Sequence, residues 1–332
     1  MTKGNKNQET LKLLLALLIS VGLLGSILLF FQNAFFPSNS IFTQSPSQSS
    51  SQNPQQKQSQ NTLPQSSSNL IIDTNLPNPS TLTIDGSVTM VALMKQLQVA
   101  YSLVNPSIPT TYGLPDGKPN GTNAGIKNLI DGKVMMAAIS RRLEPREIEA
   151  GLVGIPIAKD ALAVAIGINN PYKGGLTIDQ LKGIFQGKIT NWKEVGGPDA
   201  SIKVFNRSAD SGTQSFFRDV VLLGEPFAID GANFITREQD ETTPILQALG
   251  NNGISYSAVS QIANQKTVRI VPINGISPTD INAIQNGTYP IIRIVYLAVP
   301  KNTSPATKQF VDVALSARGK DIVQRVGFIP LK

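Results

Sequence analysis

Residues Asn206-Arg207-Ser208-Ala209-Asp210-Ser211-Gly212-Thr213 set one guanidinium four positions ahead of a Ser-Gly-Thr turn that opens an amphipathic helical run. The chemistry this suits is the holding of an anion. N–H groups in the first turn of a helix have no intrahelical acceptor and lie at the positive end of the macrodipole. Ser211 and Thr213 add hydroxyl donors, Gly212 lets backbone approach closely, and Arg207 supplies a planar, permanently charged fork. Asp210 reads as a local cap, with acceptance of a ligand proton as the alternative.

Three further segments carry the same chemistry. In Asp85-Gly86-Ser87-Val88-Thr89 a strand ends at a glycine and hydroxyl residues open the next helix. In Gly121-Thr122-Asn123-Ala124-Gly125 a second glycine-flanked turn starts a short helix, and in Ile139-Ser140-Arg141 a hydroxyl and a second guanidinium stand at the C-terminal edge of a strand-like run. That edge is where α/β folds place ligands. Each segment alone is compatible with a cap or turn; four in one chain argue for a shared oxyanion.

Other motifs read as structure. Gly183-Ile184-Phe185-Gln186-Gly187-Lys188 has three residues between its glycines where a nucleotide P-loop needs four, and Ile189 stands where a magnesium-binding hydroxyl is required. Trp192, the only tryptophan, reads as packing beneath a loop, and Met135 and Met136 as core.

Neither Cys nor His occurs in the 332 residues, which removes disulfides, thiolate nucleophiles, the common zinc sites and every imidazole-dependent triad. A binding protein without cofactor or metal is expected, not an enzyme. The net charge of +7 comes without a dense Lys/Arg run interleaved with aromatics, so no nucleic-acid partner is expected.

The elements that must position these donors lie between residues 70 and 332, where apolar β-rich runs alternate with helical patterns. The alternation predicts an α/β fold with substantially parallel sheets. Strands are expected at 81–86, 161–168, 202–206, 268–272 and 291–299, and helices at 89–103, 125–131, 177–185, 214–223, 242–249, 278–284 and 304–316. The length suits two lobes, here lobe 1 (about 70–160 and 298–332) and lobe 2 (about 161–297).

Upstream, Leu13–Phe31 is charge-free and mostly apolar, long enough to cross a bilayer as a helix. Lys3, Lys6 and Lys12 precede it, and the next basic residue is Lys57, so the positive-inside rule leaves residues 1–12 in the cytoplasm and exports the rest. No Ala-x-Ala site follows the run; an uncleaved anchor over 13–36 is the reading, with cleavage as its rival. Residues 37–69, rich in Ser, Gln, Asn and Pro, read as a disordered linker. The expected location is the plasma (inner) membrane, single-pass, with the binding domain on the periplasmic side.

The chain resembles the phosphate-binding proteins of bacterial phosphate ABC importers, within the type II periplasmic binding proteins. The resemblance runs through Asp85-Gly86-Ser87, Ile139-Ser140-Arg141, the stretch from Gly183 to Phe217 containing Ile-Thr-Asn-Trp-Lys-Glu-Val-Gly-Gly and Arg-x-x-x-Ser-Gly-Thr, Gly287-Thr288-Tyr289-Pro290, and the C-terminal run 310–331. It implies a two-lobed Venus-flytrap fold closing on phosphate, with hinge crossings near 160–166 and 291–297 and with ABC permease subunits as partners. By position it implies ligand contacts from Ser87, Val88, Thr89, Thr122, Ser140, Arg141, Arg207, Ser211, Gly212 and Thr213. Two features depart from the family's pattern. Arg141 stands where one branch has a proton-accepting Asp, which leaves the rejection of sulfate open, and Asn123 stands where glycine is common, near an extra loop at 114–120. That loop reads as a surface insertion, with a lid as the alternative. Another oxyanion (sulfate, molybdate or tungstate), a sensing or adhesion role on the same fold, and, third, a phosphohydrolase working through Ser, Thr or carboxylates remain the competing functions.

Overall fold

The computed structural model describes residues 72–263 and 265–331. The expected anchor and linker lie outside them; among the described residues no helix is long and apolar enough to cross a membrane.

The first elements are β1 (Leu82–Gly86), α1 (Val91–Val104), β2 (Thr110–Tyr112), α2 (Thr122–Ile130), β3 (Met136–Ile139) and α3 (Pro145–Glu149). The long strand β4 (Leu152–Gly167) follows. Next come α4 (Ile178–Phe185), β5 (Lys203–Asn206), α5 (Gly212–Val220), β6 (Phe234–Thr236), α6 (Thr242–Ala248), β7 (Gly253–Ala258), α7 (Val259–Ile262), β8 (Val268–Val271) and α8 (Ile281–Asn286). The chain closes with β9 (Ile292–Pro300), α9 (Pro305–Leu315), α10 (Ala317–Arg325) and β10 (Ile329–Pro330).

Local sequence accounts for many of these. In α1, Leu93, Met94, Leu97, Ala100 and Tyr101 fall on one helical stripe, and all five are buried. Helix α4 starts at a reciprocal capping box, in which Thr177 Oγ1 accepts from the Gln180 N–H at 3.1 Å and Gln180 Oε1 accepts from the Thr177 N–H at 2.9 Å.

The strands run in the order β2-β1-β3-β9-β4-β7-β5-β6, with β10 and β8 also on β4. β4 serves both lobes. Its residues 152–161 pair antiparallel with β9, while Leu162–Ile166 pair antiparallel with β7. The expectation of substantially parallel sheets holds only at the outer strands. β1 is parallel to β2 and β3, and β5 to β6 and β7, but every pairing of β4 and β9 is antiparallel. Two strands that carry the chain out of a lobe and back again run in opposite directions, so the centre cannot be parallel.

Each lobe buries both faces of its sheet. In lobe 1, α1, α9 and α10 cover one face and α2 the other, the second core holding Ile126, Leu129, Ile139 and Ala298. In lobe 2 the two-residue period of β4 is visible directly: Leu162, Val164 and Ile166 enter one core, Ala163 and Ala165 the other. Trp192 is fully buried in the first of these cores, stacked on Tyr172 with ring centroids 4.8 Å apart, and its indole N–H donates to the Asn252 carbonyl.

Short α3 was not expected from periodicity; Pro145 at its first position and the carboxylate of Glu147 form it. Glu147 Oε2 accepts from the Glu144 N–H at 2.7 Å, and its carboxylate takes a two-pronged bond from Arg141, Nη1 to Oε2 at 2.9 Å and Nη2 to Oε1 at 2.7 Å. Burial alone would raise the Glu147 carboxyl; the Arg141 bonds and the Glu144 N–H outweigh it and hold it below the usual carboxylate value. A depressed carboxyl stabilises the fold fully above its unfolded value, about 4.3, and that contribution fades as pH falls through the lower folded value. Glu147→Gln is therefore expected to cost about 1.5–3 kcal/mol at pH 7. The gap from the parent protein should narrow steadily below pH 4, as read by urea unfolding at a series of pH values.

Candidate functional site

The donors of lobe 1 meet at the C-terminal ends of β1 and β3. Asp85, fully buried, organises the first loop: its Oδ1 accepts from the N–H groups of Gly86 and Asn120, and its Oδ2 from the side-chain amides of Asn120 and Asn128. One carboxylate thus ties β1, the loop at 114–120 and α2 together. The Ser87 N–H donates to the Ala138 carbonyl at 2.7 Å, a register that leaves no room at Gly86, where a Cβ would fall 2.1 Å from that same oxygen. Tyr112 Oη donates to the Ser87 carbonyl, and burial raises the Tyr112 phenol well above its ordinary value. So held, Ser87 Oγ lies 2.8 Å from Thr89 Oγ1. Beside them Thr122 Oγ1, at the start of α2, accepts from the Ser140 N–H and stands 3.1 Å from Ser140 Oγ.

Lobe 2 answers with the start of α5. Arg207 is fully buried and each contact of its guanidinium is to lobe 2: Nε donates to Ser211 Oγ at 2.9 Å, Nη1 to Thr242 Oγ1 and Ser257 Oγ, and Nη2 to Asp240. The first turn of α5 comes so close to lobe 1 that a Cβ at Gly212 would lie 2.4 Å from Thr122 Oγ1 and 2.7 Å from Ser140 Oγ.

Between the lobes lies a guanidinium outside the set expected from sequence. Arg293 of β9 sits opposite Asp160 of β4 in the strand register, and Nε donates to Asp160 Oδ2 at 2.8 Å. Its Nη1 donates to Thr213 Oγ1 at 2.8 Å and to the Ser140 carbonyl at 3.2 Å, and its Nη2 to Thr89 Oγ1 at 3.3 Å. One side chain therefore touches a donor of each lobe. Burial pushes the Asp160 carboxyl up and the Arg293 guanidinium down, each partly offset by the other.

Nine of the ten expected residues, Ser87, Val88, Thr89, Thr122, Ser140, Arg207, Ser211, Gly212 and Thr213, lie in this assembly. Ser87, Thr89, Thr122, Ser140, Arg207, Ser211 and Thr213 are each no more than 3% exposed, so the lobes cover them completely. Val88 takes part through its carbonyl, which accepts from Gln261 Nε2 of lobe 2. Arg141 departs from the expectation. Its guanidinium turns to Glu147, the Arg142 carbonyl and Asn123 Oδ1, and Arg293 occupies the interior in its place. The reason is local: α3 brings a buried carboxylate to Arg141. Asp210 is exposed, and the local cap is Ser208, whose Oγ accepts from the Asp210 N–H.

Sequence reasoning missed Asp160, Arg293 and Asp240. A signal existed for Arg293, since a lone charge inside an apolar strand run must be paired when buried; Asp160, beside Lys159 in a broken run, gave less. Asp240, in a turn, gave none. The loop at 114–120 borders a cavity of about 530 Å³ shared with Glu238, Gln239, Asp240 and Glu241 of lobe 2, so it stands at the cleft mouth and not on a remote surface.

The arrangement is a donor cage. Thr213, Thr89 and Ser211 each accept a bond from a guanidinium, so the hydroxyl hydrogen of each is not spent on that bond. Each guanidinium is neutralised by its own buried carboxylate.

Residues 49–318 match the PBP superfamily domain. The chain is 30% identical over 274 residues to the phosphate-binding protein PstS of Borreliella burgdorferi, covering 78% of this chain and 92% of that protein. It is 30% identical over 259 residues to the PstS of Bacillus subtilis, covering 76% and 81%. Among solved structures, a putative phosphate ABC transporter substrate-binding protein with bound phosphate from Clostridium perfringens superposes with a TM-score of 0.67 at 32% identity, over 76% of this chain and all of that one. On these matches the chain belongs to the PBP superfamily and, within it, to the family of the PstS phosphate-binding proteins.

Proposed function

We propose that the two-lobed domain, residues 70–332, captures inorganic phosphate between its lobes and delivers it to an ABC permease. The observation that carries this is the convergence of hydroxyl donors from four loops, Ser87 and Thr89, Thr122, Ser140, and Ser211 and Thr213, in one covered interior. A desolvated oxyanion needs many short donors, each a charge-assisted bond in the bound state. The relatives and the C. perfringens structure, which are named for phosphate, support the choice of ligand. They are named as binding proteins, which fits a role without catalysis. Titration calorimetry with phosphate, sulfate, molybdate and tungstate is the direct test. Saturable heat with phosphate is expected; silence with phosphate and saturation by another of the four would transfer the function to that anion.

The donors are Ser87, Thr89, Thr122, Ser140, Ser211 and Thr213, with the backbone of Val88 and Gly212 and with Arg207 and Arg293 behind them. Thr213→Val keeps the shape of the side chain and removes one hydroxyl. At roughly 1.5–3 kcal/mol for a bond to a charged group, phosphate affinity should fall by about 10- to 100-fold. Unchanged affinity would take Thr213 out of the site.

The same reading places the domain outside the cytoplasm, held by residues 13–36 and kept clear of the bilayer by residues 37–69. The charge-free apolar run after Lys3, Lys6 and Lys12 supports it. In cells expressing the full chain, alkaline carbonate should leave the protein in the membrane pellet at uncleaved length; release into the soluble fraction would favour cleavage.

A further inference from the structure

Two amide side chains reach across the cleft, and each is one covalent or hydrogen-bonded step from the donor cage. Asn123 belongs to α2 of lobe 1. Its Nδ2 donates to the Ala209 carbonyl at 2.8 Å and to Ser215 Oγ at 3.2 Å, both in lobe 2, and its N–H donates to the Asp210 carbonyl. The amide is oriented from behind, because Asn123 Oδ1 accepts from Arg141 Nε at 2.9 Å and Arg141 is itself anchored on Glu147. Its neighbour in the chain is Thr122.

Gln261 belongs to α7 of lobe 2 and reaches the other way. Its Nε2 donates to the Val88 carbonyl at 3.2 Å, between Ser87 and Thr89 of lobe 1. Its Oε1 accepts from Thr242 Oγ1 at 3.1 Å and Ser257 Oγ at 2.7 Å. Both hydroxyls in turn accept from Arg207 Nη1, and the Val88 carbonyl on the other side can only accept. The Val88 carbonyl therefore takes the NH₂ end of the amide and leaves Oε1 to the two hydroxyls.

We propose that Asn123 and Gln261 are positioning residues that clasp the lobes shut and set how slowly the bound anion leaves. Neither touches the cage hydroxyls; each ties the loop beside a donor to the opposite lobe. Arg141 and Glu147 serve the first clasp, which accounts for a guanidinium turned away from the interior. Arg207 serves the second through Thr242 and Ser257. A clasp acts after encounter, and it therefore appears in the dissociation rate while association is left nearly unchanged.

The proposal rests on the phosphate reading for its kinetic test and is independent of it for its structural one. With the full chain and inorganic phosphate, Asn123→Ala and Gln261→Met, both neutral in charge, should each raise the dissociation rate about 5- to 10-fold, with the association rate within about threefold of the parent. Unaltered dissociation rates, or a loss carried by association, would overturn the clasp. Without ligand, spin labels at Lys133→Cys and Lys188→Cys, in a chain with no native Cys, report the separation of the lobes. The double variant should shift that distribution to longer distances, and an identical distribution would overturn the clasp whether or not phosphate binds. A parent chain that ignores phosphate but lengthens its distances in the variant would sink the ligand assignment and leave the clasp standing.

Discussion

The ion pair between Asp160 and Arg293 is the constraint around which the molecule is arranged. Both residues are buried in the paired strands β4 and β9, directly opposite one another, at the place where the chain passes between lobes. Neither charge would be tolerable there alone, since an unpaired buried ion costs several kcal/mol even after relaxation. Paired, they leave Arg293 with N–H groups to spare, and these go to Thr89, Ser140 and Thr213. The strand crossing and the anion cage are therefore one structure: the residue that makes the crossing electrostatically possible is also the residue that aims the hydroxyls.

The cage works by orientation more than by net charge. Arg207 with Asp240, Arg293 with Asp160 and Arg141 with Glu147 are each locally neutral. What remains for an incoming anion is a set of polarised hydroxyls and the N-terminal amides of α5, buried away from bulk solvent. Serine and threonine do this well because a hydroxyl that accepts from a guanidinium has its hydrogen free to donate onward.

Much of this was legible in the sequence, for identifiable reasons. The donor segments around Ser87, Thr122, Ser140 and Ser211 announced themselves because glycine and hydroxyl residues at helix starts have a local physical meaning. Strands such as β1 and β5, and helices such as α1 and α4, followed from periodicity and caps. The first half of β4 did not, because Gly154, Pro156, Lys159 and Asp160 break the apolar run, and Pro156 is accommodated by a shift of register against β9. The antiparallel centre was equally out of reach, since strand direction is a property of two segments far apart in the chain. Arg141 misled because its sequence neighbours argue for a site while its actual partner, Glu147, lies in a helix too short to show a period.

Gly212 contributes no functional group, yet it determines the geometry of the shut molecule. The first turn of α5 can rest against Thr122 and Ser140 only because nothing projects from its Cα toward them. The vacant volume of one methyl group acts as a ruler for the depth of engagement: it places the helix amides within reach of whatever Thr122 and Ser140 hold. A larger residue there would be a wedge, leaving every donor in place and holding the two halves ajar.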